Sequence, residues 1–207
     1  MVQHKNNFAH IKSCTNKQIQ TNIEMKKIIL ILALIIPVSL LAQETDKKRQ
    51  TTFEKFTSSI GSIVKFYDYA MPKLQASYQT ATVEVRKVIS GAQSNCFLHI
   101  EFTPYQRSVQ SAFIAESDLV EMKKALEALE KLASTDGTGE ADYLENKFKV
   151  EDGSHIGYYI SKNKSGDKEP TWYFNINGYN GATLFFKTSD ALMTCFNEAL
   201  AKIESIK

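Results

Sequence analysis

Beyond residue 42 the chain carries two histidines, His99 and His155, two cysteines, Cys96 and Cys195, and carboxylates spread along its length. Two histidines leave little for a catalytic triad or a multi-histidine metal site to draw on. No C-x-x-C, H-E-x-x-H, G-x-S-x-G or phosphate-cradling glycine loop occurs. His99 and Glu101 share one face of a strand and have the types for an acid–base couple, although an ordinary solvated strand face is the simpler reading. Folding could also group Glu84, Glu101 and Glu145 into the paired carboxylates of a glycosidase, but sequence sets no separation between them. Asp136-Gly137-Thr138-Gly139-Glu140-Ala141-Asp142 interleaves carboxylates with glycines. It lacks the alternating ligand spacing of an EF-hand loop and reads as a connection. No catalytic residue, metal or cofactor is expected.

The elements that would have to position any site begin after an export signal. Lys26 and Lys27 form a short positive region, Ile28 to Leu41 is an apolar run broken once by Pro37, and Ser39-Leu40-Leu41-Ala42 supplies small residues for cleavage. A spanning helix needs roughly 20 apolar residues, so a cleaved signal over 25–42 is the better reading than an anchor. No Cys follows the run, so lipoprotein processing is not indicated. Residues 1–24 are polar, without periodicity, and read as a disordered extension of the gene model ahead of Met25. The mature chain is expected in the periplasm or outside the cell, starting near Gln43 with no stable membrane span.

Removing the first 42 residues changes the charge. The whole chain has 25 Lys+Arg against 23 Asp+Glu; that segment holds five Lys and one Glu, which leaves 20 against 22 and a net of −2. Charge therefore supplies no argument for nucleic acid or an anionic membrane. Outside the cytoplasm Cys96 and Cys195 are permitted a disulfide; both also fall on predicted core faces, where free Cys behaves as a small hydrophobe.

Residues 43–50 read as a flexible leader. A helix is predicted from about Thr51 to Ile60, then an extended piece to Tyr69. Period-two alternation predicts strands over Thr80–Ile89, Asn95–Phe102 and Val109–Ala115. Ser117 is placed as the cap of a helix whose buried stripe is Leu119, Met122, Leu126 and Leu129. A second unit repeats the order, with strands over Tyr143–Val150, Ile156–Ser161, Trp172–Asn177 and Thr183–Phe186. Turns fall at Asp152-Gly153, Ser165-Gly166 and Gly178-Tyr179-Asn180-Gly181. Ser189 and Asp190 open its helix, with Leu192, Cys195, Phe196, Ala199 and Ile203 inward. The units run over 51–134 and 141–207, joined by 135–140. Phe113-Ile114-Ala115-Glu116-Ser117-Asp118 aligns with Phe185-Phe186-Lys187-Thr188-Ser189-Asp190, which suggests an internal duplication.

The predicted class is α+β: an antiparallel sheet built from two ββββα-type repeats, with helices packed on one face. In element order this resembles the two-repeat saddle of the TATA-binding protein and the two-repeat β-lactamase inhibitor proteins. It also looks like small exported bacterial proteins of unknown function built on the same plan. The resemblance implies architecture, and its inhibitor branch implies a protein that blocks an extracellular enzyme.

If Cys96, Leu98 and Ile100 face the helices, Phe97, His99 and Glu101 point away. The same alternation sends Tyr173, Asn175 and Asn177 outward, along with Phe113, Tyr159 and Phe185. Rings mixed with amide, imidazole and carboxylate groups suit a recognition surface. Three competing readings stand: the N-terminal segment folds across that face, a dimer covers it, or the register is inverted. The sequence therefore points to a non-enzymatic binding or interaction module. Its ligand site would be Phe97, His99, Glu101, Phe113, Tyr159, Tyr173, Asn175 and Phe185, and its partner an unidentified protein or glycan. A small carboxylate-dependent hydrolase and a structural envelope protein are the alternatives, and the oligomeric state is open.

Overall fold

The computed structural model describes residues 50–207 apart from 59, 106–107, 163–167 and 177–180. The export signal, the residues before it, the leader to Arg49, Asn177 and the turns at Ser165-Gly166 and Gly178-Tyr179-Asn180 lie outside the described residues. The elements run α1 (Thr52–Thr57), β1 (Val64–Ala70), β2 (Leu74–Gln75), β3 (Thr80–Ser90), β4 (Gln93–Phe102), β5 (Gln110–Ala115) and α2 (Glu116–Asp136). Then come β6 (Tyr143–Lys149), β7 (His155–Lys162), β8 (Lys168–Ile176), β9 (Ala182–Phe186) and α3 (Asp190–Ile206).

The fold is α+β and every strand pair is antiparallel, but the strands form two sheets instead of one long one. The first is five-stranded, ordered β1-β3-β4-β5, with β2 paired to β3; the second is four-stranded, ordered β6-β7-β8-β9. Alternation decides which side is core. Val85, Leu98 and Ile114 stand in register across β3, β4 and β5, and all three are fully buried. Ile156, Phe174 and Leu184 do the same across β7, β8 and β9.

Both inward faces and the stripes of α2 and α3 join one hydrophobic cluster. The two stripes are buried at the predicted positions, because 3.6-residue spacing keeps those side chains on one side of each helix. Helix α2 packs on β4 and β5 and also on β6 and β7, while α3 packs on β2 and β3. Each long helix therefore touches the sheet it does not follow directly in sequence. Burying about 25 cal/mol per Å² of apolar surface, this shared layer is the main source of stability.

The start of α2 differs from expectation, whereas α3 opens at Ser189 and Asp190 as expected. Helix α2 begins at Glu116 with Ala115 in the cap position, so Ser117 caps nothing. Ser189 occupies the α3 cap position, yet its side chain makes no cap bond. Its hydroxyl donates instead to Glu130 Oε1 on α2, at 2.7 Å. That charge-assisted bond ties the two helices together, while the helical backbone of Ser189, φ −75° and ψ −14°, departs from the extended conformation of a capping residue.

The bridge considered between Cys96 and Cys195 is not formed; both are buried free thiols. They sit in the cluster as small apolar groups on β4 and α3. Burial pushes the Cys195 thiol up to about 12 and the Cys96 thiol upward as well, so neither is poised as a thiolate. No helix among the described residues is long and apolar enough to cross a membrane.

Candidate functional site

The outward faces of the two sheets have opposite fates. On the first, Val88 and Phe97 are fully buried although they point away from the long helices. The cover is α1. Thr51 and Glu54 form a capping box: the Glu54 N–H donates to Thr51 Oγ1 at 3.1 Å and the Thr51 N–H to Glu54 Oε2 at 2.9 Å. Six residues are too few for a stable isolated helix, so docking must hold this one. The Phe53 ring lies edge-on to Phe97 at 5.1 Å and stacks on Phe113 at 3.9 Å, and His99 stacks beneath Phe113 at 4.3 Å. Glu151, in the turn after β6, clasps α1 by accepting from the Thr52 hydroxyl and from Lys55 Nζ at 3.1 Å.

Phe97 and His99 are thus buried, and Phe113 is half-buried beneath Phe53, so these three do not form a free surface. Only Glu101 keeps substantial exposure, its side chain being 47 % accessible. His99 Nδ1 lies 3.2 Å from Glu84 Oε2, while its Nε2 is 4.0 Å from Glu101 Oε2 and has no hydrogen-bond partner. The expected His99–Glu101 couple is therefore not hydrogen-bonded, and Glu84 is the nearer carboxylate. Beside it Arg86 grips Asp68 through two hydrogen bonds of 2.6 and 2.8 Å and lies over the Phe113 ring at 5.3 Å. That guanidinium holds the Asp68 carboxyl below its usual range.

Among the described residues, no helix covers the outward face of the second sheet in this way. Its outward positions read Tyr143, Glu145, Lys147 and Lys149 on β6; His155, Gly157 and Tyr159 on β7; Thr171, Tyr173 and Asn175 on β8; Thr183 and Phe185 on β9. Gly157 and Tyr173 pair directly. The missing side chain leaves a hollow, and the Tyr173 ring fills it; a Cβ on Gly157 would stand 3.0 Å from Tyr173 Cζ. Tyr173 is consequently only 5 % exposed. Its hydroxyl donates to Glu145 Oε1 at 2.5 Å, and Tyr143 donates to the other oxygen at 3.2 Å. Tyr159 is the hub, 6.0 Å from Tyr143 and 6.5 Å from both Tyr173 and Phe185. Tyr143 and Phe185 are exposed, at 57 % and 38 %.

The Tyr173 hydroxyl, followed by Lys147 and Tyr143, holds the Glu145 carboxyl below its usual range. A carboxyl depressed by folding contributes stability above the unfolded value of about 4.3 and loses it as pH falls through the folded value. Wild type should therefore lose melting temperature more steeply than Glu145→Gln as pH drops below about 4.3. Parallel melting curves for the two proteins would contradict the hydrogen-bonded carboxylate.

At the β9 end the first half supplies a wall. The Ser77 N–H donates to the Phe185 carbonyl at 2.7 Å, which plants the turn between β2 and β3 against the second sheet. Tyr78, the next residue, is 91 % exposed. Between this turn and the sheet lies a cleft of about 620 Å³ lined by Ser77, Tyr78, Tyr159, Glu169, Pro170, Thr171, Phe185, Phe186 and Lys187. A second hollow of about 370 Å³ lies between β2 and α3 and is lined by no aromatic ring.

Of the eight residues singled out from sequence, Tyr159, Asn175 and Phe185 remain at the open face and Tyr173 underlies it as packing. Tyr78 and Tyr143 were missed. Tyr143 was legible, since it shares parity with Glu145, Lys147 and Lys149 along β6. Tyr78 was not, because only the fold brings its turn beside β9. Among the described residues no group of three or more His, Cys, Asp or Glu could hold a metal ion. In the 136–142 connection, Asp136 accepts from Asn146 at 2.7 Å and from the Tyr158 hydroxyl, and Asp142 pairs with Lys162 at 2.6 Å.

No protein-family model matches the chain, and a search of curated proteins finds no similar sequence.

Proposed function

We propose that the mature chain is an exported, non-enzymatic binding module that works through the outward face of its second sheet and the cleft beside it. One observation carries this reading: α1 covers Val88 and Phe97 on the first outward face, leaving Phe66 exposed at the β1 edge, whereas among the described residues no element covers the equivalent face of the second sheet, which presents several rings. An uncovered sheet face is normally polar, and here Tyr143, Tyr159 and Phe185 interrupt it. The cleft is of the size that holds small ligands, about 300–1,000 Å³.

The hydrolase alternative draws no support from the geometry. The Glu145 carboxylate is occupied by two tyrosine hydroxyls, and the His99 ring is sealed beneath Phe113. An oligomeric envelope role rests on no specific contact. The test is a titration of oligosaccharide and peptide panels into wild type and Phe185→Ala. A ligand of this face should lose about tenfold or more in affinity on that truncation, with melting unchanged. A ligand held equally by both proteins would place the working surface elsewhere.

A further inference from the structure

Resting on the reading that this face binds, we infer that the cleft between Tyr78 and the second sheet takes a short oligosaccharide. Three features select that class. First, the lining alternates ring faces with groups that can bond hydroxyls. Tyr78, Tyr159 and Phe185 line it with aromatic carbon, the last two perpendicular at 6.5 Å, which is apolar surface suited to the C–H side of a pyranose. Around them the Glu169 carboxylate accepts, the Lys187 ammonium donates and the Thr171 hydroxyl does either. An aromatic or lipid ligand would leave those three groups without partners at a cost in affinity.

Second, the surface is too small for a folded protein. Four strands about 4.8 Å apart span about 15 Å, and these strands, of 5 to 9 residues, run about 17–30 Å at about 3.3 Å per residue. The resulting face of about 250–450 Å² is smaller than the roughly 800 Å² that each partner of a stable protein complex buries. Third, the rings form a diagonal, Tyr143 on β6, Tyr159 on β7 and Phe185 on β9, that crosses the strands and leads into the cleft. A chain of pyranoses advances per sugar by nearly the distance between neighbouring strands. One laid along the diagonal would meet a ring or a polar group at each step.

Opposite charges in the lining, Glu169 and Lys187, cancel and favour a neutral sugar over a polyanion. The two rings that do most of the holding stand on different halves of the fold. Tyr78 comes from the turn after β2 and Phe185 from β9, fixed together by the Ser77–Phe185 backbone bond. Tyr78 touches little else at 91 % exposure, so its loss should weaken binding without harming the fold.

The experiment uses residues 43–207 with an array of neutral and acidic oligosaccharides of α- and β-linked hexoses, pentoses and N-acetylhexosamines, alongside proline-rich and tyrosine-rich peptides. Hits are titrated calorimetrically against wild type, Tyr78→Ala and Phe185→Ala. The expected result is saturable binding of a neutral oligosaccharide that each substitution weakens by about tenfold or more. If only peptides bind, and Phe185→Ala weakens them, the sugar assignment is wrong while the binding face stands. If no probe is sensitive to either substitution, both readings fail.

Discussion

Phe97→Ala is expected to lower the unfolding free energy by about 3–5 kcal/mol, the range for truncating a large buried ring. Phe97 is fully buried although it points away from the main core, because Phe53 of α1 closes over it. Denaturant unfolding followed by the fluorescence of Trp172, the single tryptophan, measures the loss. Phe53→Ala should be similarly directed but smaller, since Phe53 itself is half-buried. The pair should be non-additive, with a ring–ring coupling of about 0.5–1.5 kcal/mol in a double-mutant cycle. Phe185→Ala on the second sheet should shift stability by only a few tenths, within about 0.5 kcal/mol, as for ordinary surface sites. A loss below about 1 kcal/mol for Phe97→Ala would mean that α1 does not seal the first face.

Gly157→Ala should cost about 3 kcal/mol, at the upper end for an overpacked site. A Cβ there would stand 2.3 Å from the Asn146 carbonyl oxygen and 2.8 Å from the Tyr173 hydroxyl. The tyrosine could swing away, but the carbonyl belongs to the paired strand β6 and can move only by distorting the sheet. Adding Tyr173→Leu to Gly157→Ala should therefore recover less than half of the loss, because the backbone clash persists. Full recovery would show that the ring alone requires the glycine. Glycine in a strand interior ordinarily weakens it; here the Tyr173 ring covers the gap and its hydroxyl is carried across to Glu145.

Both effects show what sequence could and could not disclose. Helical spacing located the stripes of α2 and α3 because side-chain direction follows from 3.6-residue geometry alone. Period-two alternation assigned Phe97, His99 and Tyr173 to outward faces for the same kind of local reason. Whether an outward face is open is not local. It depends on α1 reaching across β4 and β5, and on Glu151, 96 residues further along the chain than Lys55, holding it there. The Thr51-x-x-Glu54 box was a readable start signal for α1, but nothing in it says which sheet the helix covers.

The division into two sheets was hidden for a related reason. A repeated order of strands and helix is compatible with one continuous sheet or with two that share helices. In the 150–154 turn Asp152 takes the Ser154 N–H at 2.8 Å and the Phe113 backbone N–H, so a side chain bonds the β5 backbone there. Ser117 failed as a cap because the helix starts two residues earlier, with Ala115 in the cap position, whereas Ser189 and Asp190 do open α3. In the candidate site, Tyr159 and Phe185 followed from alternation, whereas the cleft required Tyr78 to arrive from the other half.

The proposed function rests on the contrast between the two outward faces, which hydroxyl-radical footprinting of residues 43–207, read by mass spectrometry, measures residue by residue. Tyr78, Tyr143 and Phe185 should label rapidly, while Phe97 stays protected until the protein unfolds. Equal labelling of Phe97 and Phe185 in the native protein would mean that both faces are open, and the assignment of function to the second sheet would lose its basis.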